Sequence, residues 1–176
     1  MTENQQNLKD ILLSGALQEI NFYQMNKHFF ELPEEGFWVI DGGIELKFPS
    51  GIVSAAWDLE FECYVIKDDA VRNIYKESDL VQLKNEHISK LERFVGQTIV
   101  EANFKNLEFE YIVDYTMRTE KEKRFVELIL DFENKTQIQI AFADYVLGAN
   151  KIPTDFSFSI QPTLLISTKK IMPIAS

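Results

Sequence analysis

The sequence predicts a mainly β (α+β) fold made of two tandem β-rich repeats, and three observations carry that prediction. The first is internal similarity. Ser14 to Phe22 has a counterpart in Gly96 to Phe104, and the run Ile44 to Phe48 with Ile52 to Asp58 recurs as Leu128 to Phe132 with Gln137 to Asp144. The offsets are steady, 82 residues from Glu19 to Glu101 and 84 from Phe48 to Phe132, as tandem duplication requires. The second is alternation of apolar and polar residues with period two, the mark of half-buried strands. The third is a pair of matched turn signals, Pro49-Ser50-Gly51 and Glu133-Asn134-Lys135, each between two β-rich runs.

The elements follow in order. Leu8, Ile11 and Leu12 share one helical face, with Asn7 as N-cap and Gly15 as the stop. The second unit opens likewise, with Ile88, Leu91, Phe94 and Val95 as the stripe and Gly96 as the stop. In the strands that follow, Ile20 and Phe22 oppose Glu19 and Asn21, while Val100, Ala102 and Phe104 oppose Glu101 and Asn103. Phe29 to Leu32 and Phe37 to Ile40 read as strands, as does Glu108 to Thr116. Each hairpin needs a residue that tolerates positive φ, for which Gly51 and Asn134 are the candidates. Trp57 and Phe142 stand as equivalent core anchors. The segments 67–78 and 148–153 read as loops, 117–124 as an exposed charged hairpin loop, and Asp79 to Leu83 and Thr163 to Ser167 as closing strands.

These elements give repeats of about 7–83 and 86–168. Each is a short helix followed by about five antiparallel strands, packed as one pseudo-two-fold unit within a single compact domain, 1–176.

Composition bounds the function. A net charge of −10, from 28 acidic and 18 basic residues, repels phosphate backbones and excludes direct nucleic-acid binding, while it attracts a basic protein. No apolar run approaches the ~20 residues of a membrane-spanning helix. The N-terminus lacks a signal-type apolar core, and Cys63 is the single cysteine, so a cytoplasmic protein is expected.

Candidate chemistry is sparse. Asp58, Glu60 and Glu62 fall at i, i+2 and i+4 of a predicted strand, with Leu59, Phe61 and Cys63 facing inward. Neighbouring carboxylates would then stand about 6.6–7 Å apart on one face, a row suited to a partner's Lys and Arg side chains. Glu19 and Glu101, each with an asparagine two residues on, are further partner contacts, against the simpler role of cross-strand hydrogen bonding. His28 and His87 lie in no metal-ligand pattern. Gly42-Gly43 precedes a strand and reads as a turn, and Asn134-Lys135-Thr136 as a turn also. No catalytic residue, metal site or cofactor is predicted, and the sequence points away from an enzyme.

The duplicated pattern, with Glu45-Leu46-Lys47-Phe48 and Leu128-Ile129-Leu130-Asp131-Phe132 leading into Trp57-Asp58 and Phe142-Ala143-Asp144, resembles small acidic bacterial proteins of poorly characterised families. Some of those are immunity proteins that neutralise secreted toxins. The resemblance implies a non-catalytic interaction module that blocks a basic partner through an acidic β face, and it transfers no functional residue. The alternatives are a carboxylate-based metal-dependent enzyme on Asp58, Glu60 and Glu62, and a carrier of a small apolar ligand.

Overall fold

The computed structural model describes residues 3–25, 30–32, 35–76, 79–83, 89–113, 118–149, 153–159, 162–169 and 171–173. His28, His87 and Ile88 lie outside them. Helix α1, Glu3–Leu12, leads into β1 (Glu19–Gln24), β2 (Phe30–Leu32), β3 (Phe37–Ile40), β4 (Gly43–Phe48), β5 (Gly51–Asp58) and β6 (Cys63–Lys67). After the short helix α2, Val71–Tyr75, come β7 (Val81–Gln82), β8 (Ile99–Val113), β9 (Arg118–Phe132) and β10 (Gln137–Leu147), then β11 (Pro153–Phe158), β12 (Thr163–Ser167) and β13 (Met172–Pro173). The chain is mainly β, as expected, in two sheets whose pairings are antiparallel apart from β11 with β13.

The first sheet runs β6-β5-β4-β1-β7 and the second β13-β11-β10-β12-β3-β2, with the β8–β9 hairpin joined to β10 through β9. The second sheet is not the property of the second half. β3 enters it by pairing with β12, Val39 opposite Leu165 and Trp38 opposite Ile166. A strand lent across in this way ties the two halves to one core. Ile20, Phe22, Leu46 and Ile66 of the first sheet pack there with Trp38, Leu130, Ile140 and Leu164 of the second, and Leu8, Ile11 and Leu12 of α1 join them. Tyr64 stacks on Phe142 across this boundary, ring centroids 5.4 Å apart.

Long strands allow pairings to change along their length. β10 is held by β9 over Gln137–Ala141 and by β11 over Ala143–Leu147, while β12 takes its other edge. Since β9 pairs with β10 no further than Glu127, its residues Arg118–Phe125 pair with β8 alone. The outer part of this hairpin is an arm, and a register shift at Lys105/Asn106 marks where it leaves the sheet.

Several expectations are corrected. α1 begins at Glu3, so Asn7 is inside it and donates to Asp68 (2.7 Å) instead of capping. Among the described residues of the second expected helix, 89–95, there is a single 3-10 turn, Glu92–Phe94, and no α-helix. Residues 118–124 are strand, because cross-strand partners on β8 absorb their charge: Lys121 lies 3.1 Å from Glu108 and 2.7 Å from Glu110. The segment after β6 contains α2, whose Val71 and Ile74 cover the outer face of the first sheet. In the second hairpin Lys135, with φ 64, takes the left-handed position expected of Asn134, while Gly51 lies in β5 without positive φ. Of the two anchors Phe142 is buried and Trp57 only half so.

Gly15 follows α1 and Gly96 follows the 3-10 turn, with φ 153 and 84, values L-residues avoid. Gly42 has a different role, because a Cβ there would lie 2.2 Å from the Tyr23 carbonyl oxygen. A glycine is what lets β1 and the β4 entry close up.

Candidate partner-binding turn and groove

The expected row of carboxylates is a turn. β5 ends at Asp58, residues 59–62 reverse the chain, and Cys63 pairs back with Asp58. Asp58 builds the reversal: its Oδ1 accepts the Glu60 amide (2.9 Å) in an Asx-type turn. Its Oδ2 accepts from Lys67 Nζ at 2.5 Å. Glu62 closes the turn in the left-handed region, φ 48, a conformation uncommon for a residue with a Cβ.

This geometry reverses the expected facing. Asp58 is buried at 4% exposure, whereas Leu59 and Phe61 point outward at 40% and 59%. Glu60 and Glu62 are exposed beside them. Lys67 Nζ lies 5.3 Å from the Phe61 ring centroid, near enough for a cation–π contact. Glu60 meets Lys76 only loosely, at 3.9 Å with both side chains about two-thirds exposed, an ion pair of little energetic weight. The turn therefore presents one aromatic and one aliphatic side chain between two carboxylates, on a base fixed by Asp58.

The remaining candidates lie elsewhere. Glu19 accepts from Asn21 (2.9 Å), Gln82 donates to Asn21 (2.8 Å), and Lys47 stands 3.8 Å from Glu19. This is the cross-strand network that was the simpler alternative. Glu101 and Asn103 are exposed on β8. Ala16 and Thr98 form an antiparallel bridge, from which the extended chains carry Glu19 and Glu101 apart, by about 20 Å. The structure does not gather the five carboxylates on one face. Among the described residues no group of three or more His, Cys, Asp or Glu is placed to hold a metal ion.

Beside the turn a groove of about 220 Å³ separates β6 from the β9 arm, with Phe61 on its rim and Cys63 in its wall. Cys63 is buried, and burial pushes its thiol above the ordinary value, so it is a poor nucleophile.

Asp58 yields a pH prediction. Burial would raise its carboxyl, but Lys67 and the Glu60 and Phe61 amides outweigh burial and hold it below the ordinary value of 3.8. A carboxylate held low in the folded state contributes stability above its unfolded pKa and loses it as pH falls through the folded one. Wild-type stability should drop below about pH 4, and Asp58→Asn should remove that part of the acid dependence while costing about 1–2 kcal/mol at pH 7. Urea unfolding at pH 7 and pH 3 measures both. An acid slope unchanged in the variant would show that Asp58 is not its source.

No family model, curated protein or solved structure matches this chain.

Proposed function

We propose that the protein is a non-catalytic interaction module that engages a basic partner through the β5–β6 turn, with Phe61 as anchor and Glu60 and Glu62 as flanking charges. The observation that carries this is Phe61, 59% exposed on a turn whose base is fixed by hydrogen bonds and an ion pair. Exposed aromatics in rigid settings are where binding energy concentrates, and a net charge of −10 steers a basic protein toward them. Asp58 supports the turn from below and touches no partner. Blocking such a partner, as an immunity-type protein does, needs no chemistry from the turn.

The duplication belongs to the same proposal. Ala16 bridges Thr98, its counterpart at the offset of 82, and an antiparallel bridge between equivalent residues is what a two-fold relation between repeats produces. Glu60 and Glu62 have no clear equivalent after Phe142, which supports looking for function where the two copies differ.

The test is capture of basic proteins from cell lysate at low salt on immobilised protein. Wild type should retain a partner that elutes as salt rises. Phe61→Ala and the pair Glu60→Lys with Glu62→Lys should each reduce its retention by about ten-fold or more. Equal retention by wild type and both variants would remove the turn from the interface.

A further inference from the structure

The groove between β6 and the β9 arm has a charge balance opposite to that of the whole chain. Its wall holds Lys67, Lys123 and Arg124 against one carboxylate, Glu122, in a protein with 28 acidic and 18 basic side chains. Two of these cations are compensated. Lys67 has Asp58 at 2.5 Å and Arg124 has Glu122 at 2.6 Å. Lys123 is exposed and makes no ion pair among the described residues; Glu108 stands opposite it in register but is bridged by Lys121, which leaves Lys123 as the cation of the wall without a carboxylate of its own. Apart from the polar Asn4, the rest of the wall is mainly apolar, with Phe61, Cys63, Val65 and Phe125 among its residues. At about 220 Å³ the space is below the 300–1,000 Å³ range of sites for drug-sized molecules.

We propose that this groove binds a small amphipathic monocarboxylate, with its acyl chain against Phe61, Val65 and Phe125 and its carboxylate at Lys123. A single uncompensated cation over an apolar wall matches one negative charge on an apolar chain. A neutral lipid leaves Lys123 unpaired, a dianion exceeds the available charge, and a cationic amphiphile meets repulsion. Binding here is separate from the turn's engagement of a basic protein: the carboxylate is held by Lys123 on the β9 arm, whereas Glu60 and Glu62 belong to the β5–β6 turn and do not line the groove. Only Phe61 serves both.

The experiment titrates the full chain with hexanoate, octanoate and decanoate, and with octan-1-ol and octylammonium as neutral and cationic probes, following backbone amide NMR shifts. Octanoate should move amides of residues 61–67 and 122–125 in a saturable way. Each added methylene should tighten binding about three- to four-fold until the chain outgrows the groove. Lys123→Glu should weaken octanoate about ten-fold and leave octan-1-ol within about two-fold, since it inverts the local charge without changing the apolar side chains of the wall. Lys123→Gln, which keeps a long side chain on the strand, should weaken octanoate to a smaller extent and guards against a folding defect in the first variant. Equal affinities for octanoate and octan-1-ol overturn the proposal. So do shifts away from the groove, an equal effect of Lys123→Glu on both probes, or no saturation at millimolar concentrations. Partner capture by the Lys123 variants should be unchanged, so either idea can fail alone.

Discussion

Trp38→Ala is expected to lower the unfolding free energy by about 3–5 kcal/mol, seen as a lower urea midpoint at unchanged slope. Trp38 is fully buried, and its position makes it more than one large side chain among others. It sits on β3, the strand that the first half contributes to the second sheet, opposite Ile166 on β12. Its ring meets Phe22 of the first sheet edge-on, centroids 6.2 Å apart at 71°. Truncation opens a cavity where the sheets join, and neither sheet can collapse into it without giving up the β3–β12 register. For a chain of this size the melting temperature should fall by roughly 8–15 °C. Trp57→Ala is the internal comparison: that ring is only half-buried, and its loss should cost about half as much. A cost below about 1 kcal/mol for Trp38→Ala would mean that the two sheets do not depend on a common core.

Much of this core was legible in the sequence, because a buried strand face is written in alternation. Ile20 and Phe22, Ile44 to Phe48, and Leu128 to Phe132 carry the β pattern and lie in strands, and both hairpins fall at the expected turns. What alternation cannot show is where a strand stops. Leu59, Phe61 and Cys63 alternate with Glu60 and Glu62 as a strand would, but Asp58 is a turn-former whose side chain captures the Glu60 amide, and only Cys63 of the three is buried. The cue was present in Asp58 at the end of an already eight-residue β5, with no Gly or Pro to announce the reversal. Val100 failed for a related reason. The register shift between Ile99 and Glu101 turns it outward, 57% exposed, and a one-residue irregularity flips a side chain without altering the pattern. The lending of β3 to β12 was invisible for a third reason. Pairing partners far apart in sequence are chosen by tertiary fit, which no local period records. The groove has the same origin, since Lys67 and Lys123 become neighbours of one cavity only once the β9 arm crosses beside β6.

Gln139→Met is expected to destabilise the fold by about 2–4 kcal/mol, although it exchanges one buried side chain for another of similar size. Gln139 is 1% exposed in β10, and Glu127, 7% exposed, is its diagonal neighbour on β9, where it pairs with Ala141. Its amide donates to Glu127 Oε1 at 2.6 Å and to the Ile171 carbonyl at 3.0 Å, while its oxygen accepts the Ile171 amide at 3.1 Å. One side chain thus satisfies a buried carboxylate and both backbone groups of Ile171, which itself packs on Phe37, Leu165 and Phe156. Methionine fills the space and satisfies none of the three. If the cost is the stranded carboxylate, removing that too should return part of it. Replacing both members of a buried polar pair with apolar side chains is far less damaging than orphaning one. Glu127→Leu together with Gln139→Met should therefore be more stable than Gln139→Met alone, by about 1–2 kcal/mol, while the Ile171 groups remain unpaired and keep the double variant below wild type. Amide hydrogen exchange gives the second readout: Ile171 should lose protection in both variants, since Gln139 is its partner in the wild type. A double variant less stable than the single one would show that Glu127 has other support in that face, and the cost of Gln139→Met would then have to come from the Ile171 contacts alone.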